Sequence, residues 1–293
     1  MFTGTTRLVG LIGWPVAHSL SPTMQNAAFD HLGLDWKYVS LPVHPDMLAS
    51  AVQGLAALGF AGANVTAPHK TAVMRQLNGL SEAARQIGAV NTLLVREDDD
   101  GIRTLDGANT DNSGFIRSLQ RANLPVADEH VVVCGAGGAA RAVVFGLLHA
   151  GAAQVTILNR NIETAQQLGK QFSAIAQGRI IVLPATDETV IESARCASLL
   201  INATSVGMFP RVDASIWPEV KPMPSGLAVF DLVYTPRETR LLKQAKASCA
   251  QTLGGVSMLI EQGAEAFTLW TGRPAPIDVM RKACERQIQG GCL

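Results

Sequence analysis

The sequence predicts an α/β fold built as two α/β domains, and three observations lead there. Short β-branched runs alternate with longer segments of helical periodicity, in two successive series. A glycine-rich turn, Gly135-Ala136-Gly137-Gly138-Ala139-Ala140, follows one apolar run directly and opens a helical one. The chain has 293 residues, and a domain averages ~150. Strands that alternate with helices imply parallel sheets joined by right-handed crossovers.

The first series opens with a strand at Leu8–Ile12. Ser21-Pro22 starts a helix to about Leu32, with Ser21 as cap and Pro22 at the first helical position. Lys37–Leu41 is the second strand. Pro45–Leu58 is a helix, because Met47, Leu48, Ala51, Val52 and Leu55 recur at three and four. Gly62–Val65 is the third strand, and Pro68 leads into a further helix. Leu93–Arg96 and Arg103–Leu105 flank Asp98-Asp99-Asp100-Gly101, a hairpin turn signal. Asp111–Ala122 is helical again. The second series has strands at Val131–Cys134, Val155–Leu158, Ile180–Leu183, Leu199–Ile201 and Val229–Leu232, with helices at Ala139–Ala150 and Ile162–Phe172 among those between them. Met258–Gln289 is helical, interrupted at Thr271–Pro276.

Composition excludes several classes. Hydrophobic residues make up 47% and charged residues 16%, which rules out a disordered chain. The 24 Lys+Arg balance 24 Asp+Glu, so the basic surface that nucleic acid needs is not expected. The five cysteines (134, 196, 249, 284 and 292) form no CxxC pair and no Cys/His cluster, which suits buried thiols in a reducing compartment and no metal site. The apolar run Leu8–Ala17 after Arg7 carries Gly10, Gly13 and Pro15, which break the helix a signal peptide needs. Val131–Leu148 has Gly135, Gly137 and Gly138 at its centre and Arg141 beyond, so it reads as strand–turn–helix and not as a membrane span. A soluble cytoplasmic protein is expected.

Gly135–Ala140 is G-x-G-x-x-A between a strand and a helix. Gly135 permits the tight turn, Gly137 lets the backbone approach a pyrophosphate, and Ala140 lets the helix pack close to the sheet. The helix N-terminus then offers free N–H groups to phosphate. An NAD site usually carries Asp or Glu at the end of the next strand, about 20 residues on. Here that strand ends in Asn159-Arg160-Asn161. No acid is present, and a guanidinium stands where a 2′-phosphate would lie, which favours NADP over NAD and argues against S-adenosylmethionine.

A polar cluster sits where strands of the first series end. It comprises Ser19 and Ser21, the run Asn64-Val65-Thr66-Ala67-Pro68-His69-Lys70, Asn91-Thr92, and Asn109-Thr110-Asp111. Taken singly, these residues are capping groups or surface polarity; Ser21 and Asp111 could each simply cap a helix. Together they offer one cation, one carboxylate and many neutral hydrogen-bonding groups. A small polyhydroxylated acid would need such a set.

Nearly the whole chain resembles the shikimate dehydrogenase family. The matching stretches are 13–22, Asn64–Lys70, 88–92, 107–114, Gly135–Ala140, Asn159-Arg160, 202–208, 231–236 and 258–262. The resemblance implies an N-terminal substrate-binding lobe (1–110, completed by 258–293) and a Rossmann lobe that binds NADP (111–257), with final helices returning to the first lobe and an active site in the cleft between them. It implies reversible reduction of 3-dehydroshikimate to shikimate with NADPH, in aromatic amino-acid and chorismate biosynthesis. By family analogy Lys70 and Asp111 are the catalytic pair. Ser19, Ser21 and Tyr234 resemble the residues that bond the substrate carboxylate, and Thr66, Asn91 and Gln262 those that hold ring hydroxyls. The cofactor residues would be Gly135, Ala136, Gly137, Gly138, Ala139, Asn159, Arg160 and Asn161. Thr204, Met208 and Gly255 would join them at the nicotinamide.

Some positions depart from the family pattern. Asn161 stands where Thr often follows Asn-Arg, which weakens the NADP preference. Cys249 replaces a frequent turn glycine and Ser257 another, and both read as tolerated loop changes; Ala67 is read as facing away from the chemistry. The nearest alternative is a quinate or dual quinate/shikimate dehydrogenase using NAD, against which Ser21 and Arg160 argue. The other is a non-enzymatic metabolite sensor, which would not need both Lys70 and Asp111. The expected partner is a small-molecule substrate, not nucleic acid or a membrane, with the chain a monomer or homodimer.

Overall fold

The computed structural model describes residues 3–218 and 221–290; of the five cysteines, Cys292 lies outside them. The chain packs as two compact units, Met1–Gly114 with Leu259–Leu293, and Phe115–Met258.

The first unit holds a sheet of β1 (Arg7–Gly13), β2 (Trp36–Pro42), β3 (Gly62–Val65), β4 (Gly79–Leu80), β5 (Thr92–Glu97) and β6 (Arg103–Ala108), in the order β2-β1-β3-β5-β6-β4. The strands β1, β2 and β3 are parallel, with Ile12 opposite both Leu41 and Val65. The predicted hairpin forms β5 and β6 and makes the sheet mixed, since β5 runs antiparallel to both β3 and β6. One face is closed by helix Leu48–Ala57, whose Leu48, Val52 and Leu55 pack on Ile12, Ala63, Val65 and Leu93. The helix Ile277–Gln289 packs against helix Ser21–His31, and Trp270 Nε1, in helix Val256–Thr271, donates to Leu93 O at 2.9 Å. The final helices thus join the first unit.

Two local readings are corrected. Pro68 does not open an α-helix; the chain turns first and then makes a short 3-10 helix at Ala72–Gln76. Ser21 does not cap its helix. Leu20 holds the cap position, with no side-chain bond, and Ser21 is already helical.

The second unit is a fully parallel sheet of β7 (His130–Cys134), β8 (Gln154–Asn159), β9 (Ile180–Pro184), β10 (Leu199–Asn202), β11 (Ala228–Asp231) and β12 (Thr252–Gly254), ordered β12-β11-β10-β7-β8-β9. The strands β7, β10 and β11 are buried along nearly their whole length, as a sheet covered on both faces requires. The order reverses at β7: β8 and β9 lie to one side, and β10 returns to the other. Ligands bind doubly wound sheets at such a switch point, beyond the carboxyl ends of the strands. Among the described residues no helix is long and apolar enough to cross a membrane, and no group of His, Cys, Asp or Glu could hold a metal ion.

Candidate active site

In the first unit, β1 and β3 end side by side, so the segments that follow them leave the sheet together. The segment after β3 is tied down by backbone bonds in place of a helix. Thr66 N–H donates to Ile12 O (2.8 Å), Trp14 N–H to Ala67 O (3.1 Å) and Val90 N–H to Lys70 O (2.8 Å). The His69 ring, 1% exposed, lies with Nε2 2.7 Å from Val43 O. These bonds fix the Lys70 backbone before its side chain begins.

Lys70 Nζ donates to Asp111 Oδ2 at 2.6 Å; the two side chains are 17% and 6% exposed. Asp111 begins the helix Asp111–Arg121 but does not cap it. Asn109 does so instead, its Oδ1 accepting from Asp111 N–H (3.1 Å) and Asn112 N–H (3.3 Å). The other Asp111 oxygen, Oδ1, accepts from Asn91 Nδ2 at 2.9 Å.

The orientation of the Asn91 amide follows from its neighbours. The Thr110 backbone N–H can only donate, and it meets Asn91 Oδ1 at 2.8 Å. The amino end must therefore face Asp111, and it also meets Thr110 Oγ1 (2.9 Å) and Gln262 Oε1 (3.2 Å). Behind Asn91 the network continues inward. Thr92 Oγ1 donates to Asn91 Oδ1 (3.0 Å), Asn64 Nδ2 donates to Thr92 Oγ1 (3.2 Å), and the Tyr38 hydroxyl donates to Asn64 Oδ1 (2.8 Å). Gln262 Nε2 donates to Leu259 O at 2.8 Å. Its helix comes close to Asp111–Arg121 at Gly114, where a Cβ would sit 2.6 Å from Gln262 N.

Lys70, Asp111, Asn91 and Gln262 thus form one hydrogen-bonded group. Ser19 and Ser21 form another, Ser21 N–H donating to Ser19 Oγ at 3.2 Å. Ser21 is buried and Ser19 half-buried. Thr66 is half-buried four residues before Lys70, and Tyr234 belongs to the second unit. The sequence places Asn109 and Thr110 in the polar cluster without giving either a role, and it gives no sign of Tyr38 as part of this network. The run Asn109-Thr110 before a helix is a capping signal that could have identified Asn109.

In the second unit the glycine turn follows β7 at the switch point. Gly135 has φ of +120°, and a Cβ there would lie 2.9 Å from Ala203 O. Around Gly137 no heavy atom lies within 4 Å of a Cβ position, so the space above the turn is open. The helix Gly138–His149 starts there without a side-chain cap, and Ala140 is fully buried against the sheet. Free first-turn N–H groups, open space and a bare helix N-terminus fit a pyrophosphate. Ala136 is buried, and Ala139 lies in the first turn of the helix.

At the end of β8, Arg160 and Asn161 are exposed. Asn159 Nδ2 donates to Asn161 O at 2.8 Å, which holds the turn. Asn161 Oδ1 caps the helix Ile162–Gln171, accepting from Thr164 N–H (2.8 Å) and Thr164 Oγ1 (2.9 Å). Only the amino end of Asn161 remains for an anion, and Arg160 is the cation of the Asn159–Asn161 turn.

Thr204 follows β10, its hydroxyl donating to Asn202 Oδ1 at 2.6 Å, and Met208 is 45% exposed. Asn202 Nδ2 donates in turn to Asp231 Oδ1 (2.9 Å). Burial pushes the Asp231 carboxyl above its usual range, against hydrogen bonds from Thr239, Val233 N–H and Asn202 that lower it. Gly255 has a packing reason of its own, since a Cβ would lie 2.2 Å from Leu232 O. Cys134, buried at the end of β7, has its thiol pushed up to about 12 by desolvation.

Three family models match the chain. They are described as the shikimate dehydrogenase substrate binding domain (residues 11–93), shikimate / quinate 5-dehydrogenase (residues 118–212) and the shikimate 5'-dehydrogenase C-terminal domain (residues 255–285). A curated relative from Methanothermobacter thermautotrophicus, named shikimate dehydrogenase (NADP(+)), is 45% identical over 98% of this chain and 99% of its own. The crystal structure of shikimate 5-dehydrogenase from Thermus thermophilus in complex with NADP(H) and shikimate superposes with a TM-score of 0.83 at 38% identity, covering 96% of this chain and 99% of that one. Quinate dehydrogenase from Corynebacterium glutamicum in complex with NAD gives 0.86 at 31% identity, covering 96% and 99%.

Proposed function

The chain belongs to the shikimate dehydrogenase family, and from that premise we propose that Lys70 and Asp111 are the catalytic pair with which it interconverts 3-dehydroshikimate and shikimate, using NADP(H). The observation that carries the assignment is the Lys70–Asp111 contact of 2.6 Å at the carboxyl ends of the first-unit strands.

NADP(H), when bound, supplies or takes up the hydride. The protein's task is the proton and the orientation of the substrate. In reduction the substrate ketone oxygen gains negative charge, and the Lys70 ammonium stabilises it and donates the proton. In oxidation a neutral Lys70 removes the hydroxyl proton. Asp111 holds the ammonium in place and accepts from a ring hydroxyl. Asn91, whose amino end is fixed toward Asp111, and Gln262 bond ring hydroxyls together with Thr66. Ser19, Ser21 and Tyr234 receive the carboxylate.

Gly135 to Ala139 cradle the pyrophosphate, and Arg160 with the amino end of Asn161 meets the 2′-phosphate. Asn159 shapes that turn, and Thr204, Met208 and Gly255 line the nicotinamide pocket. The domain assignment follows from the same reading: 1–110 with 258–293 takes the substrate and 111–257 the dinucleotide. The enzyme acts in the cytoplasm as a monomer or homodimer.

A two-by-two assay tests the reading: shikimate or quinate, with NADP+ or NAD+, followed by absorbance of the reduced nicotinamide. Fast turnover of shikimate with NADP+ and little with quinate is expected. Preference for quinate or NAD+ would overturn this reading in favour of a quinate or dual quinate/shikimate dehydrogenase using NAD. No turnover with any pair would overturn the assignment in favour of a sensor.

A further inference from the structure

We propose that Asn109 is a positioning residue that sets the Lys70–Asp111 geometry. The inference rests on the reading of that pair as catalytic, and it uses both ends of a carboxamide that is 6% exposed.

The acceptor end holds the helix. The first-turn N–H groups of a helix have no backbone partner inside it, and a carboxylate in that turn tends to fold back onto them. Asp111 is in that turn, yet its two oxygens go to Lys70 (2.6 Å) and Asn91 (2.9 Å). It is released because Asn109 Oδ1 already serves the N–H groups of Asp111 and Asn112.

The donor end holds the loop. Asn109 Nδ2 donates to Ala89 O at 2.9 Å. The next residue, Val90, donates its N–H to Lys70 O at 2.8 Å, and the one after it, Asn91, bears the amide that meets Asp111. One side chain therefore ties the start of the Asp111 helix to the loop that carries Lys70's backbone anchor and Asp111's neutral donor.

Without the Asn109 acceptor, the Asp111 carboxylate, which stands in the same first turn, is placed to fold back onto the orphaned N–H groups. Turning back, it leaves Lys70, whose Nζ loses its 2.6 Å partner and stands open to an electrophile.

Two readouts follow Asn109→Ala beside the native chain. The first is kcat with saturating NADP+ and shikimate, set against the Kd for NADP+. The second is the rate, at one fixed pH, at which Lys70 is acylated by a succinimidyl ester in the protein without substrate, measured by peptide mass spectrometry; it reports Lys70 whether or not the pair is catalytic.

The expected result is kcat lowered about tenfold or more, with the Kd for NADP+ unchanged and Lys70 acylated several times faster. Asn109→Ser keeps a short acceptor and should restore both native rates. If the alanine variant does not fold, Asn109→Gly, which a helix start tolerates better than alanine, carries the same expectation. An unchanged acylation rate in the folded variant, or a serine variant that reacts as fast as alanine, overturns the proposal. Faster acylation with no change in kcat would leave the positioning intact and refute the catalytic role of the pair.

Discussion

Lys70 Nζ donates to Asp111 Oδ2 at 2.6 Å, in a setting where the acid is 6% exposed and its second oxygen is already held by Asn91 Nδ2. The cation is thereby aimed while its remaining N–H bonds stay available. General acid–base groups contribute about 10²–10⁴ in rate. Lys70→Ala should lower kcat by about that factor and leave the Kd for NADP+, measured by titration, within twofold. Near-normal turnover would remove Lys70 from the chemistry.

Arg160 is the cation of the turn that ends β8, and Asn161 beside it spends its carbonyl oxygen on capping the helix Ile162–Gln171. On the proposed reading, Arg160 then brings the full positive charge of that turn to a 2′-phosphate, with only the neutral amino end of Asn161 beside it. A hydrogen bond to a charged group contributes about 1.5–3 kcal/mol, or roughly 10–100-fold in binding. Arg160→Ala should raise KM for NADP+ by that factor while KM for NAD+ changes little. Equal changes for the two cofactors would take Arg160 away from the 2′-phosphate.

The second unit was far more legible in sequence than the first. Its strands are apolar runs buried on both faces, and the glycine turn carries its own conformational demand at Gly135. What escaped there is β12 at Thr252–Gly254, whose three half-buried residues show no pattern. In the first unit Pro68 reads as a helix start. The bonds that decide otherwise come from Ile12, Trp14 and Val90, distant in sequence. The site followed the same rule. Residue types and strand ends pointed to Lys70, Asp111 and Asn91, whereas the direction of the Asn91 amide depends on Thr110 N–H, a relation only the folded chain displays. Ser21 as a cap failed because Leu20 ends up in the cap position.

Cys249 follows the helix Arg240–Ala247 with φ of +55°, the left-handed conformation that glycine usually supplies at this place. Read from sequence as a tolerated change, the position carries strain. Left-handed backbone costs a non-glycine residue about 1–2 kcal/mol, and glycine gives back up to about 1 kcal/mol through unfolded-chain entropy. Cys249→Gly should therefore stabilise the protein by about 0.5–1 kcal/mol, read as a higher denaturant midpoint at unchanged slope. A lower midpoint would show that the cysteine side chain contributes more than its backbone costs.

Asp231 is fully buried, and its carboxylate accepts from Asn202 Nδ2 (2.9 Å), Val233 N–H (3.0 Å) and Thr239 Oγ1 (2.6 Å). Desolvation outweighs these bonds and raises its pKa above the ordinary 3.8. A raised folded-state pKa means that the folded chain holds this proton more tightly than the unfolded chain does. The associated stabilisation is complete below 3.8 and is lost as pH climbs through the raised value. At neutral pH the ionised carboxylate depends on its three donors. Thr239→Val removes one of them with little change in volume, and it also removes the cap of the helix Arg240–Ala247. The loss at pH 7 should be about 1.5–3 kcal/mol from the charged hydrogen bond, added to a cap contribution that does not depend on pH. At pH 4, where more of the carboxyl is protonated, the loss should be smaller. Denaturant titrations of both proteins at the two pH values measure the difference, and an equal loss at each would show that Asp231 does not change its ionisation between pH 4 and pH 7 in the folded protein.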